Sequence, residues 1–175
     1  FIEKDAKNSI RLGAGNNELY IKGNVEKTID TGTGNDIVIV DGNAKNSVRL
    51  GDGNNELYIK GSAVDITTGT GADKVFVDGN ISNYVNLGAG DDYLEIGGKL
   101  TANNTYLDGG DGTGDFVSFS FNSTGVKVDL STASSQNTND GTLTIKNVEN
   151  LEGGSAADIL IGNGFLNKYG KTKSR

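Results

Sequence analysis

The chain has 175 residues, 27 of them glycine, and contains no proline, cysteine, histidine, methionine or tryptophan. Without imidazole or thiol, His/Cys zinc sites, iron–sulfur ligation, Ser-His and Cys-His nucleophiles and disulfides are excluded, and oxygen atoms are the ligands that remain. A net charge of −7 with a pI near 4.6 argues against nucleic acid or anionic lipid as partners, because both draw affinity from clustered Lys and Arg.

In chain order, a Gly-x-Gly step recurs at Gly13, Gly32, Gly51, Gly69 and Gly88, at spacings of 19, 19, 18 and 19. A fixed period of this size signals one supersecondary unit stacked on itself. Each copy holds a short apolar segment, the glycine loop, a second apolar segment and a simpler turn at Gly23-Asn24, Gly42-Asn43, Gly61-Ser62, Gly79-Asn80 and Gly97-Gly98. Alternation in the first segment puts Ile10 with Leu12, Ile29, Val48 with Leu50, Ile66, and Val85 with Leu87 on one face. The second segment does the same with Leu19 and Ile21, Val38 and Val40, Leu57 and Ile59, Val75 and Val77, and Leu94 and Ile96. The pattern predicts an all-β fold, a right-handed parallel β-roll or β-helix solenoid with two short strands per 18–19-residue coil. Coils stacked about 4.8 Å apart enclose a thin aliphatic core.

Residues 1–108 read as five such coils, 109–163 as larger irregular coils with a terminal repeat, and 164–175 as a basic, repeat-free tail. A two-coil period overlies the shorter one: Ala6 to Asn24 and Ala44 to Ser62 are near copies 38 residues apart. No apolar run approaches the length of a membrane span, so no insertion is expected. The start at Phe1, with no signal-peptide pattern, points to a piece of a longer polypeptide.

Outward positions test the register. Arg11, Asp30, Arg49, Thr67 and Asn86 fall in one column, which sets Asp30 between two arginines. A second column reads Tyr20, Ile39, Tyr58, Phe76 and Glu95. Its apolar members either stack on one another along the ladder or offer a contact surface to a neighbouring domain or copy.

The glycine loops carry the candidate chemistry. Tight loops with paired glycines can turn backbone carbonyls inward, and the pairs are Gly13 with Gly15, Gly32 with Gly34, Gly51 with Gly53, Gly69 with Gly71 and Gly88 with Gly90. The loop exits add Asn17, Asp36, Asn55, Asp73 and Asp92 in turn. Hard oxygen ligands in flexible geometry favour calcium, which takes six to eight of them, over magnesium or a transition metal. Asparagine supplies a carbonyl oxygen but no charge, so the later gaps, from Asp73 to Asp92 and from Asp92 to Asp115, are expected to bind more tightly. For Asn17 and Asn55 the alternative is a hydrogen-bonded asparagine turn without metal. The turn column Asn24, Asn43, Ser62, Asn80 has no carboxylate motif and reads as turn formers.

These loops resemble degenerate forms of the RTX nonapeptide G-G-x-G-x-D-x-U-x, a calcium-binding β-roll repeat. Leu12, Thr31, Leu50, Thr68 and Leu87 replace its leading glycine. Asp108-Gly109-Gly110-Asp111-Gly112-Thr113-Gly114-Asp115 resembles a further copy with an insertion, and Gly153-Gly154-Ser155-Ala156-Ala157-Asp158 another. The resemblance implies several calcium ions between adjacent coils, held by loop carbonyls, including those near Gly110 and Gly112, and by the column ending in Asp115, with Asp158 beyond it. It also implies a secreted or cell-surface bacterial protein, an adhesin, surface-layer protein or toxin, that folds on meeting extracellular calcium. Three other readings are a surface-layer subunit assembling through calcium, a β-helix polysaccharide lyase or epimerase segment, and an ice-binding adhesin section. No non-repeating cluster of Asp with Arg or Lys stands out, so no enzyme is expected, and the Thr/Asn lattice that ice binding needs is broken at Ala14, Asp52 and Ala89.

Overall fold

A computed structural model describes residues 1–164, with the backbone alone at 101–103. The basic tail therefore lies, apart from its first residue, outside the described residues. The strands in chain order are β1 (Ile10–Arg11), β2 (Glu18–Ile21), β3 (Ile29–Asp30), β4 (Ile37–Val40), β5 (Val48–Arg49), β6 (Glu56–Ile59), β7 (Ala63–Thr67), β8 (Lys74–Val77) and β9 (Ile81–Asn86). They continue with β10 (Tyr93–Ile96), β11 (Leu100–Asp108), β12 (Phe116–Ser118), β13 (Lys127–Asp129), β14 (Gln136–Asn137), β15 (Gly141–Lys146), β16 (Asn150–Glu152) and β17 (Ile159–Ile161). Among the described residues there is no helix.

The strands stack as a parallel β-solenoid of about six turns, about 19 residues apart. One sheet runs β1-β3-β5-β7-β9-β11-β15 with β14 added at its end, and the other runs β2-β4-β6-β8-β10-β12-β16. The register follows the repeat: Leu19 opposes Val38, Val38 opposes Leu57, and Leu57 opposes Val75. Inward side chains form one core, in which Ile21, Ile29, Val38, Leu57, Ile66, Val85 and Leu94 have no exposed surface. Each strand contributes only one to three inward side chains, so the core is a thin, mostly aliphatic layer between two sheets, and its stability is a sum over neighbouring coils.

Departures from the period have local causes. Between the turn and the Gly-x-Gly step, coil 4 has one residue fewer than coil 3. The bend seen at Lys45–Ser47 is lost and the segment becomes the continuous strand β7. Extra residues in β9 and β11 are absorbed by register shifts between Ala63 and Asp65 and between Leu100 and Tyr106. After β12 the chain leaves the stack. β14 returns as an antiparallel hairpin on β15, and β13 forms a separate two-stranded parallel sheet with β17.

The outward columns follow the expected register. Arg11, Asp30 and Arg49 are register neighbours, yet the ion pairs within 4.0 Å among the described residues do not include them. Those pairs are Lys22–Glu3, Lys45–Glu26, Lys60–Asp41, Lys74–Glu56 and Lys146–Asp108. Both arginines are exposed, and a solvated guanidinium gains little from a surface carboxylate. In the other column Tyr58 and Phe76 stack face to face, 4.9 Å between centroids and 1° apart in plane. The aromatic contacts then step sideways to Tyr93 and Phe116, at 5.5 and 5.6 Å. Mutual stacking accounts for this part of the column.

Candidate metal centre

Each loop is shaped by two glycines with positive φ. In coil 3, Gly51 sits at +79° and Gly53 at +122°, and a Cβ on Gly51 would overlap the carbonyl oxygen of Gly32 in the coil below. The first glycines Gly13, Gly32, Gly69 and Gly88 share this conformation, and so do the second glycines Gly15, Gly34, Gly71 and Gly90. Gly110 follows them, whereas Gly112 departs from the expected pair and is not at positive φ. Bridges Ala14↔Thr33, Thr33↔Asp52, Thr70↔Ala89 and Ala89↔Asp111 stack the loops in register. Asp111 thus continues the series, and the longer sixth loop absorbs one residue before Asp115.

The carbonyls that the sequence offers as ligands are not equivalent. At the first glycines of coils 2, 4 and 5 they already serve the backbone: Gly32 accepts Asp52 N–H at 3.2 Å, Gly69 accepts Ala89 N–H at 2.8 Å and Gly88 accepts Asp111 N–H at 2.7 Å. At the second glycines the amide is the anchored group. Gly34 N–H donates to the Asp52 carbonyl at 2.8 Å, Gly71 N–H to that of Ala89 at 2.6 Å and Gly90 N–H to that of Asp111 at 2.8 Å. The carbonyls of Gly34, Gly71 and Gly90 each stand two residues before an aspartate, Asp36, Asp73 or Asp92, and an ionised carboxylate has no N–H to offer them.

The residues at the loop exits come together as an internal ladder. The backbone N–H of Asn17 donates to Asp36 Oδ1 at 2.7 Å, that of Asp36 to Asn55 Oδ1 at 2.9 Å, and that of Asn55 to Asp73 Oδ1 at 2.7 Å. Asp73 N–H continues to Asp92 Oδ1 at 2.7 Å and Asp92 N–H to Asp115 Oδ1 at 2.8 Å. At the top, Asp115 N–H donates to Glu149 Oε2 at 3.1 Å, so a glutamate caps the ladder where the glycine loop is replaced by a short connection. Asp36, Asn55, Asp73, Asp92 and Asp115 are between 0% and 2% exposed.

The two amides and the four carboxylates differ at their second atom. Asn55 Nδ2 donates to the carbonyls of Gly51 at 3.1 Å and Gly53 at 2.9 Å; Asn17 Nδ2 donates to those of Gly13 at 3.3 Å and Gly15 at 2.6 Å. Because Asn55 Oδ1 accepts a backbone N–H, the remaining atom is fixed as the donor. In the aspartates that place in the ladder belongs to Oδ2, an acceptor set beside acceptors. Oδ2 of Asp36, Asp73, Asp92 and Asp115 is buried with no hydrogen-bond partner, and so is Oδ2 of Asp158. Asp41 Oδ1, also without a hydrogen bond, differs in kind, since the Lys60 ammonium lies 2.7 Å away.

Burial raises the Asp73 carboxyl to about 6 and the Asp115 carboxyl to about 6. It raises that of Asp92 to about 7, with the neighbouring carboxylates of Asp73 and Asp115 adding to the effect. A buried threonine precedes the glycine loop in coils 2 and 4. Thr31 and Thr68 are fully buried, their hydroxyls donating to the carbonyls of Leu50 and Leu87.

Asp158 belongs to a separate loop. It follows β16, a strand of the second sheet, whereas the other loops lead into that sheet, so chain order puts it at the opposite edge. Its Oδ1 accepts the Val126 N–H at 2.9 Å, the same ladder bond as in the column, and Ile159 N–H donates to the Val126 carbonyl at 2.8 Å. Gly153 packs directly against the Asp158 carboxylate.

Sequence reasoning missed the ladder at the plain turns. Asn24 N–H donates to Asp5 Oδ1, Asn43 N–H to Asn24 Oδ1, Ser62 N–H to Asn43 Oδ1, Asn80 N–H to Ser62 Oγ and Lys99 N–H to Asn80 Oδ1, at 2.7–3.0 Å. The recurrence of Asn at one turn position is the signal for it. This ladder leans toward the C-terminus, and the internal ladder leans toward the N-terminus.

Chemically, each aspartate loop is an oxygen-only cluster with an excess of acceptors, which a proton or a hard cation could close. No three carboxylates converge among the described residues, so any ion here would rely on backbone carbonyls and hydroxyls for its remaining ligands. Protein-family models, curated proteins and solved structures were all compared with the chain, and none matched.

Proposed function

We propose that this solenoid is a calcium-binding structural module of the RTX type, a segment of a secreted or cell-surface bacterial protein that becomes rigid on meeting extracellular calcium. The observation that carries the reading is the set of five orphaned carboxylate oxygens, on Asp36, Asp73, Asp92, Asp115 and Asp158. An ionised carboxylate buried without a partner is strongly unfavourable, and a divalent cation relieves it at several coils together. When bound, calcium would supply positive charge and draw oxygen ligands from two directions, which suits carbonyl-lined loops and a carboxylate stacked at coil spacing.

The chain's own part is to present those oxygens. Paired glycines aim the carbonyls, the ladder bond to Oδ1 fixes each carboxylate, and the apolar layer excludes water from one side of the loop. Consecutive carboxylates at Asp73, Asp92 and Asp115 give the upper loops more charge than the lower ones, so they would bind most tightly. Without calcium the folded chain would hold unneutralised carboxylates against a thin core, and metal-binding free energy would become folding free energy. Sites of the extracellular class fill at about 10⁻⁴ to 10⁻³ M calcium, which matches a segment loose in a calcium-poor cytosol and ordered outside.

Calorimetric titration with calcium, with circular dichroism melts in calcium and in chelator, tests the reading. Expected are saturable binding of about one ion per orphaned carboxylate and a large rise in Tm, with magnesium much less effective. No binding heat together with identical melts would overturn it.

A further inference from the structure

Residues 17, 36, 55 and 73 alternate amide, carboxylate, amide, carboxylate, and the residues in front of the loops alternate with them. Leu12 and Leu50 precede the amide loops, and fully buried Thr31 and Thr68 precede the carboxylate loops. The two alternations fall on the same loops, one residue before the first glycine and four after it. Where Asn55 stands, its NH2 group fills the loop by donating to the Gly51 and Gly53 carbonyls, and an apolar leucine lies in front. Where Asp36 or Asp73 stands, the corresponding oxygen has no partner and a hydroxyl lies in front.

Resting on the calcium reading above, we propose that the solenoid interleaves two kinds of loop. In coils 1 and 3 the side-chain amide does permanently what an ion does in coils 2 and 4, so those loops are closed without metal and bind none. The amide presents two N–H hydrogens to the carbonyls that a cation would otherwise collect. It carries no charge, so it needs no counterion in the core. Ion number is then set by the aspartates of the column and not by the number of glycine loops. Coil 2 is also flanked on both sides, and coil 4 on its lower side, by metal-independent coils that hold the backbone in register before an ion arrives. Coil 5, with Leu87 and Asp92, combines the apolar position of one kind with the carboxylate of the other.

The test exchanges the two groups and reads both ion count and ion-free stability, at pH 8. Asp36→Asn and Asp73→Asn should each remove one calcium from the titration and, in chelator, raise Tm above that of the unmodified chain, because the loop now closes itself. Asn55→Asp should add one calcium and lower Tm in chelator, with the loss recovered in calcium. Asn55→Ala, which empties the loop without creating an ion site, should lower Tm equally in chelator and in calcium. Calcium counts left unchanged by both Asp73→Asn and Asn55→Asp would overturn the proposal, as would an Asp73→Asn chain melting no higher in chelator. An unmodified chain that binds no calcium defeats the ion reading. The chelator melts then decide separately whether the amide closes the loop.

Discussion

The two edges of the solenoid turn the chain with the same residues, glycine and asparagine, and both carry a side-chain ladder, yet across the five regular coils only one of them buries carboxylates in its ladder. At the plain turns Asn24 and Asn43 accept backbone N–H groups near the surface and are complete in themselves. At the glycine loops the equivalent bond uses one atom of a buried side chain and leaves the second to be satisfied from within the loop. An amide manages this and a carboxylate does not. A ladder bond alone therefore does not leave an acceptor open; an open acceptor arises where the ladder is moved into the core and its side chain is a carboxylate.

The largest effect separating the edges is metal removal. Each filled site adds about 2.7 kcal/mol when free calcium is 100 times its Kd. Chelation should therefore depress Tm strongly and expose amide protons at Asp73, Asp92 and Asp115 to hydrogen exchange before those at Asn43 and Ser62. Simultaneous loss at both edges would remove the distinction.

Second in size is the response of the ion-free chain to pH. Asp73, Asp92 and Asp115 hold protons in the folded chain up to about pH 6–7, but release them near 3.8 when unfolded. Stability in chelator should thus be full below about pH 4 and fall as the pH rises through 6 to 7. The loss is on the order of 3 kcal/mol per group, at 1.36 kcal/mol per pKa unit. Calcium should invert the trend, since protons compete for the same oxygens. Denaturant melts from pH 4 to 8, with and without chelator, measure both.

Smaller is Gly51→Ala, which forces a side chain into a left-handed conformation and against the Gly32 carbonyl. A cost of about 3 kcal/mol is expected from backbone strain and the displaced loop, read by urea denaturation in calcium. Smallest is Asn43→Ala at the opposite edge. Loss of one near-surface acceptor for Ser62 N–H should cost about 0.5–1 kcal/mol and leave the calcium titration unchanged.

Much of this arrangement is legible in the sequence because a stacked repeat converts spacing directly into register. The two apolar segments per coil, the columns Leu19 to Leu94 and the grouping of Asn17 through Asp115 follow from the 18–19-residue period alone. The direction of a hydrogen bond does not follow from spacing, so the opposed leanings of the two ladders stay hidden in it. So does the amide of Asn55 reaching back to its own loop, which depends on how the paired glycines aim their carbonyls. The Arg11–Asp30–Arg49 column shows the converse. Register neighbours on an exposed face need not touch, because water competes for both charges. The segment between β12 and β15 reads only as irregular, since β13 finds its partner β17 some thirty residues away without a shared repeat.

The alternation of Asn and Asp in the lower coils has one more consequence, for misassembly. A folding chain of near-identical coils can leave one out and pair its neighbours instead. Omitting coil 3 would lay Asp36 directly beneath Asp73, two buried anions with no amide between them, whereas omitting coil 5 replaces one carboxylate neighbour with another and changes little in the column. The lower half thus carries an internal proofreading signal that the upper half lacks, so coil-skipped conformers should concentrate above Asp73.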